Sequence, residues 1–507
     1  MTESTSDYLK EQREEEWRVN LRGQLKAKDR TSIERAKMPE AEPNVRNKSH
    51  IEVNKGLTDV QAIIEAKRCL DCVSPTCIQG CPVGINIPKF IKYIEAQDFC
   101  NAVKTLKEAN SFPAICGRVC PQEVQCEEQC FYTIKLKKPA VAIGHLERFA
   151  ADFELKSGNI HIPHVKQKNN IKVGIVGSGP AGLSVAGDLA KLGYQVTVFE
   201  ALHEFGGVLK YGIPEFRLPN NIINHEISIL KEMGVEFVKN FIVGKTASFD
   251  DLKAEGYKAF FVGSGAGLPR FMNIPGENYI GVMSSNEYLT RVNLMGAYKP
   301  DYDTPVLLGK KVAVVGGGNT AMDSVRTAKR LGAERAMIIY RRSFDEMPAR
   351  KEEIQHALEE GIEFLNLTNP VEYFADTKGR VNKVVVQKIT LGEPDSSGRR
   401  KPVPVEGSEY EIEIDLAIVS IGVSPNPLIA QSTPDLKVSC WGTVEVNPDT
   451  MQSNIDEIFA GGDIVRGGAT VILAMGDGRK AAAGIHEFLQ KNVSPEGQKV
   501  AKTLNNI

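Results

Sequence analysis

Eight of the ten cysteines fall into two tight groups, and without an export signal such density reads as metal ligation rather than disulfides. The first group is Cys69-x2-Cys72-x4-Cys77-x3-Cys81-Pro82, and the second is Cys116-x3-Cys120-Pro121-x4-Cys126-x3-Cys130. Thiolates at these spacings, on loops between helices, can wrap an iron–sulfur cube, and bacterial ferredoxin runs also place a proline after the last cysteine. Structural zinc sites usually pair two CxxC knuckles, and only one CxxC is present in the groups. Eight thiolates predict two [4Fe–4S] clusters, with the groups either closed or crossed, because the fourth cysteine of a run can serve the other cluster. Cys100 and Cys440 lie outside the groups, and each is expected to be a small buried residue. No cysteine occurs from 131 to 439, so a CxxC facing a flavin is ruled out there.

A second kind of chemistry sits in two glycine turns. Gly177-Ser178-Gly179-Pro180-Ala181-Gly182 follows an apolar strand and opens a helix. Glycines at these places permit a tight turn, backbone approach to a pyrophosphate and close helix–sheet packing. The helix N-terminus adds amides and partial positive charge for the phosphates. Glu200 ends the next strand, where a carboxylate can accept hydrogen bonds from an adenosine ribose. Two further segments select FAD for this turn. Gly206-Gly207 allows close approach of chain and cofactor, and the C-terminal strand IFAG ends in Gly462-Asp463. The loop after it reaches Ala469-Thr470-Val471 and opens a helix, whose N-terminus would stabilise negative charge on a reduced flavin.

The second turn, Gly316-Gly317-Gly318-Asn319-Thr320-Ala321, repeats these mechanics. Its second strand ends in Tyr340-Arg341-Arg342 rather than an acid. A carboxylate would hold a free ribose hydroxyl, whereas two guanidiniums suit a 2′-phosphate, so NADPH is expected over NADH. Arg350 is a candidate for a third positive charge.

The elements that must position these residues follow from pattern. Roughly the first fifty residues carry interleaved charges of both signs and read as solvated helix followed by an extended connector through Pro39 and Pro43. From about Leu57 to Phe153 the apolar spacing is helical, and KSGNIHIPHVKQKNN reads as a linker. Beyond it, strands alternate with helices, which argues for parallel sheets, one for each glycine turn. The expected fold is α/β: an N-terminal α-helical domain with two [4Fe–4S] clusters (1–160), then two Rossmann-like domains. The FAD domain spans 161–300 and 436–507, with the NADPH domain (301–435) inserted in it. The chain's 507 residues, 42% apolar and 25% charged, are those of a globular protein of several domains. No apolar run spans a membrane, the N-terminus lacks a secretory stretch, and a net charge of −2 gives no case for nucleic acid. A cytoplasmic location is expected.

The order of cysteine field, flavin unit, nucleotide unit and returning GGD resembles the small (β) subunit family of NADPH-dependent glutamate synthase. It is similar also to the N-terminal half of dihydropyrimidine dehydrogenase and to the large subunit of NADH-dependent ferredoxin:NADP oxidoreductase. The stretches that carry the resemblance are RCLDCVSPTCIQGCPVGINIPKFI, CGRVCPQEVQCEEQC, VAIGHLERFAAD, GGVLKYGIPEFRLP, GGGNTAMD and IFAGGD. The resemblance implies crossed clusters, one held by Cys69, Cys72, Cys77 and Cys130, the other by Cys81, Cys120, Cys126 and Glu147. Cys116, which spacing alone would choose, is then left free. It further implies an electron-input subunit that passes electrons from NADPH through FAD and the clusters to a partner. That partner is expected to be a glutamate synthase large subunit, a ferredoxin-reductase-like flavoprotein or ferredoxin. Flavin-based electron bifurcation is the rival activity, and the intact glycines and cysteines argue against a non-catalytic scaffold.

Overall fold

The computed structural model of the chain describes residues 3–395 and 398–492, so the end of the expected 436–507 segment lies outside the described residues. Each glycine turn follows an apolar strand, and each such strand sits at the centre of its own five-stranded parallel sheet. Lys172–Val176 is flanked by Gln195–Glu200 and Tyr257–Val262, with Glu236–Lys239 and Ile458–Ala460 at the edges. Lys311–Val315 is flanked by Arg335–Tyr340 and Leu416–Val419, with Glu363–Asn366 and Val282–Ser284 at the edges. Continuous apolar runs such as Ala259–Val262 and Val312–Val315 suit strands covered on both faces, and all of these residues are buried.

The two sheets match in order but differ in where the edge strand comes from. The first takes Ile458–Ala460 from the C-terminal side, and the second takes Val282–Ser284 from the N-terminal side. The chain therefore leaves the first unit, builds the second and returns. Its two passages, Leu268–Pro269 and Val423–Ser424, pair with each other. The second sheet begins at Val282, ahead of the break expected near 300, because register with Ala417 draws that short strand across. An antiparallel sheet of Thr368–Ala375, Val381–Pro394, Arg400–Pro404 and Tyr410–Glu413, not anticipated from sequence, extends the second unit.

The N-terminal helices are set by caps and apolar faces. Thr58 and Gln61 form a capping box before Asp59–Lys67, while Asn86 and Asp98 cap Ile87–Glu95 and Phe99–Ala109. The expected separation at 160 is a separation of chain, not of core. Phe90, Leu106, Ile115 and Leu146 share one apolar cluster with Leu183, Leu189, Phe261 and Met475. The first fifty residues are largely exposed or half-buried helix and connector, as expected, but Arg18, Arg30 and Arg46 are each at most 3% exposed. No helix among the described residues is long and apolar enough to cross a membrane.

Two contacts at backbone distance hold this arrangement. Helix Pro113–Val119 meets helix Ile143–Ser157 at Gly117, where a Cβ would stand 2.5 Å from the Arg148 amide nitrogen. Helix Val471–Asn492 meets the first cysteine group at Gly476, where a Cβ would stand 3.0 Å from the Pro82 carbonyl oxygen. Backbone cannot yield as a side chain can, so a larger residue at Gly117 must separate the two helices. Gly117→Val is expected to cost about 3 kcal/mol in urea unfolding. Gly23→Ala, in helix Glu16–Gln24 with open space around it, should be neutral or stabilising by about 0.5–1 kcal/mol.

Candidate functional site

The first turn is tied to its surroundings through Ser178. Its hydroxyl donates to Glu200 Oε2 and accepts from the Gly206 amide at 2.9 Å, while its own amide donates to Glu200 Oε2 at 2.9 Å. Glu200 Oε1 accepts from the Leu202 amide. One buried hydroxyl thus joins the turn, the acidic strand end and the Gly206–Gly207 segment. Gly207 has φ +54°, and a Cβ there would lie 2.9 Å from Gly179 Cα. Gly179 itself faces open space, with nothing nearer than Gly263 O at 4.0 Å, at the N-terminus of helix Pro180–Lys191. This is a cradle that a side chain would fill and that a pyrophosphate fits. Ala181 and Gly182 lie buried behind it.

Gly462-Asp463 comes to the same turn, since a Cβ on Gly462 would contact Ala181 Cβ at 3.1 Å. Asp463 accepts from the Ala469 amide at 3.1 Å, and burial pushes its carboxyl up to about 6. The Gly467–Thr470 loop is partly exposed ahead of helix Val471–Asn492. The sequence reading missed Asp477, which is 1% exposed and accepts from the Gly462 amide and from Arg466. Its helix position, a turn and a half after Val471, was the only signal, and many helical aspartates share it.

At the second turn, Gly318 also faces open space. Gly316 packs on Ser420, Ala321 is buried and Thr320 is exposed. Asn319 Oδ1 accepts from the Arg350 amide at 2.9 Å. The three arginines fare differently. Arg341 is exposed at the strand end, and partial desolvation of its guanidinium, together with the positive charges of Arg342 and Arg399, weakens its hold on its proton. Arg342 is buried, pairs with Asp395 at 2.6 Å and donates to Arg400 O. Arg350, expected as a further charge for the nucleotide, is instead a bridge to the helical domain. Its guanidinium donates to Arg118 O and Gln122 Oε1, both at 3.0 Å, and pairs with Glu352. Arg399, carried by the unanticipated antiparallel sheet, was missed.

The cysteines are all free thiols. Cys100 and Cys440 are exposed, contrary to expectation, Cys100 in helix Phe99–Ala109 and Cys440 in a turn. The other eight act on one another mainly within two groups, although Cys77 also acts on Cys126 across them. Burial raises Cys69 to about 12 and also raises Cys72 and Cys77. After burial, Cys72 opposes ionisation at Cys69, Cys130 opposes it at Cys72, and Cys69, Cys130 and Cys72 oppose it at Cys77. In the second set, a hydrogen bond with Cys116 and then burial raise Cys120, with Glu147 and Cys126 adding to it. Burial raises Cys126 and pushes Cys81 to about 11, and both feel Glu147. Glu147 is pushed up to about 8 by burial and has Asn110 Nδ2 as its hydrogen-bond donor, at 2.7 Å. A buried carboxyl with no cation beside it, facing buried thiols, is a donor set suited to iron. Cys116 reaches the same place but contacts Asn110 Oδ1 at 3.7 Å and Met475 Sδ at 3.5 Å. Among the described residues, no three cysteine sulfurs lie within 4.8 Å of one another. Thiolates sharing one zinc at ~2.3 Å each would stand ~3.8 Å apart, closer than any three of these sulfurs come together. The trio that does converge, Glu40, Glu352 and His356, belongs to an ion-pair cluster in which Arg46 and Arg350 already face both carboxylates.

Comparison with known proteins agrees with this geometry. Residues 46–159 match the family model for dihydropyrimidine dehydrogenase domain II, 4Fe-4S cluster, and residues 171–478 match that for pyridine nucleotide-disulphide oxidoreductase. The glutamate synthase [NADPH] small chain of Azospirillum brasilense is 37% identical over 89% of this chain and 94% of its own length. The β subunit of the NADP(+)-dependent formate dehydrogenase of Moorella thermoacetica is 36% identical over 83% of this chain and 61% of its own. FprA of Mycobacterium tuberculosis, solved with NADPH, shares the fold, with a TM-score of 0.53 at 19% identity over 66% of this chain and 89% of that one. By its match to a small chain over nearly the whole of both sequences, the chain belongs to the glutamate synthase small-chain family of pyridine-nucleotide oxidoreductases.

Proposed function

We propose that this chain is the NADPH-oxidising, electron-delivering subunit of a larger enzyme, with a glutamate synthase large subunit as its partner. The observation that carries the reading is the wedge made by helix Val471–Asn492. One side presses on the first glycine turn, where a Cβ on Gly478 would stand 2.5 Å from Ala181 O. The other touches the cysteine field through Met475 on Cys116 and Gly476 on Pro82. When bound, the nicotinamide, flavin and clusters supply two-electron and one-electron redox chemistry. The chain's residues bind, orient and shield. The Gly177–Gly182 turn, Glu200, Gly206–Gly207 and Gly462–Asp463 hold FAD, with Ala469–Val471 at the helix start. Gly316–Ala321 and Arg341 hold NADPH. The set Cys81, Cys120, Cys126 and Glu147 is read as the inner one, because Pro82 and Cys116 beside it touch the flavin helix, and the set Cys69, Cys72, Cys77 and Cys130 as the outer one. Exposed Val73 and Phe131, next to Cys72 and Cys130, support an exit toward a partner on that side.

Three measurements test this reading. Protein purified without oxygen is expected to contain one FAD and about eight irons with matching labile sulfide. Stoichiometric zinc without sulfide would overturn the cluster assignment. Next, Arg341→Ala should weaken NADPH binding by about 1.5–3 kcal/mol, roughly ten- to a hundredfold, and leave NADH binding nearly unchanged. Arg342→Ala, already engaged with Asp395, should act mainly on stability. Equal losses for both nucleotides in Arg341→Ala would show that this side chain does not read the 2′-phosphate.

The third concerns the inner set. Cys116→Ser should keep all the iron, whereas Glu147→Ala should alter or abolish one cluster's EPR signal while NADPH still bleaches the flavin. The reverse pattern would give the ligand role to Cys116.

A further inference from the structure

The family match begins at residue 46, and the helices before it have no part in the reading so far. They lay three arginines over the loop that carries Cys69 and Cys72. From helix Glu3–Arg13, Arg13 Nε donates to Asp71 O at 2.8 Å. From helix Glu16–Gln24, Arg22 Nη1 donates to Asp71 Oδ2 at 2.8 Å and to Arg13 O at 2.6 Å, and Arg18 pairs with Asp71 Oδ1. Asp71 stands between the two cysteines, fully buried and in the left-handed region at φ +52°. Trp17 stacks on Tyr93 at 4.3 Å and fastens the helices down.

A fourth cation approaches the same loop from inside. Lys92, fully buried, donates from Nζ to Cys69 O at 2.7 Å and pairs with Glu95, which also takes Arg30 at 2.8 Å. Around this cysteine set, Arg13, Arg18, Arg22, Arg30 and Lys92 thus outnumber Asp71, Glu95 and the exposed Glu14 that meets Arg13 and Arg22 at the rim. The inner set is the opposite. Its neighbours Glu147 and Glu226 are in no ion pair among the described residues, and Glu127 has Arg35 alone.

We propose that the N-terminal helices are an electrostatic cap, in which Arg13 and Arg22 hold Asp71 and raise the reduction potential at the outer cysteine set above that at the inner one. The proposal rests on the reading of both sets as cluster ligands. A cube on four thiolates gains negative charge on reduction, so nearby cations favour the reduced form. Screening is weak where the groups are buried. Arg13 and Arg22 act as positioning residues that bias electrons outward, away from the flavin side.

The test is an EPR-monitored redox titration of the full-length protein, with iron and sulfide counted in each sample. Arg22→Gln and Arg13→Gln should each lower the midpoint of one cluster and leave the other in place. A tenfold change in that cluster's reduced-to-oxidised ratio at fixed potential reads as ~59 mV for a one-electron couple. Arg22→Lys, which keeps the charge, should hold the midpoint near wild type. Glu14→Gln, on an exposed residue and safe for folding, should raise the same midpoint at low salt, which decides the matter if Arg22→Gln sheds iron. Unchanged midpoints with full iron would overturn the cap, as would an Arg22→Lys shift as large as that of Arg22→Gln. Wild-type protein without iron and sulfide would instead remove the cluster reading, and the cap with it.

Discussion

Helix Val471–Asn492 is pressed at backbone distance against two other parts of the chain, and the rest of the architecture serves that contact. Gly478 lets it lie on the start of helix Pro180–Lys191, and Gly476 lets it lie on the Cys81–Pro82 corner. Between these glycines, Asp477 reaches back to the Gly462 amide and Arg466, so the helix also fixes the strand end that carries Asp463. A single rigid element therefore sets the distance between the flavin turn and the inner cysteines. Close packing transmits any displacement, and there is no flexible side chain in these contacts to absorb it.

The nucleotide unit is held by different physics. Arg217, from the first unit, pairs with Asp323 and Glu353 of the second. Arg326 and Arg330 share Glu360 with Arg46 of the N-terminal connector. Phe216 lies beneath Arg330 at 3.8 Å. All of these groups are buried, and burial is the largest influence on Asp323, whose carboxyl is pushed up to about 6. A buried network of this kind adds little net stability over an apolar contact but admits few alternative arrangements. It specifies how the two nucleotide units face each other. Gln122 and Arg350 extend the same connection to the cysteine helices.

The eight grouped thiols explain why the helical domain is shaped as it is. Burial opposes ionisation at Cys69, Cys77, Cys81 and Cys126, and neighbouring sulfurs, or for Cys81 the Glu147 carboxylate, oppose it further. Such a set is costly to deprotonate without positive charge, and ligation to iron supplies that charge, so folding of this domain and cluster binding are coupled. The close pass of Gly117 against Arg148 brings Cys116, Cys120 and Glu147 from separate helices to one place.

The sequence by itself determined the chemistry and the unit plan. Glycine turns and cysteine runs are local devices, whose spacing over fewer than thirty residues is dictated by one strand, one turn and one helix. The two parallel sheets, each with its glycine turn after the central strand, were therefore legible. Tertiary structure decided what depends on partners distant in the chain. Arg341 and Arg350 are alike as arginines following the second strand of the nucleotide unit, yet one meets solvent and the other meets Gln122, from 228 positions away. Cys100 has the composition of a core residue and lies exposed, while Arg18 and Arg22, read as solvated charges, close over Asp71. Burial and pairing are properties of what arrives from elsewhere, and local pattern carries no record of it.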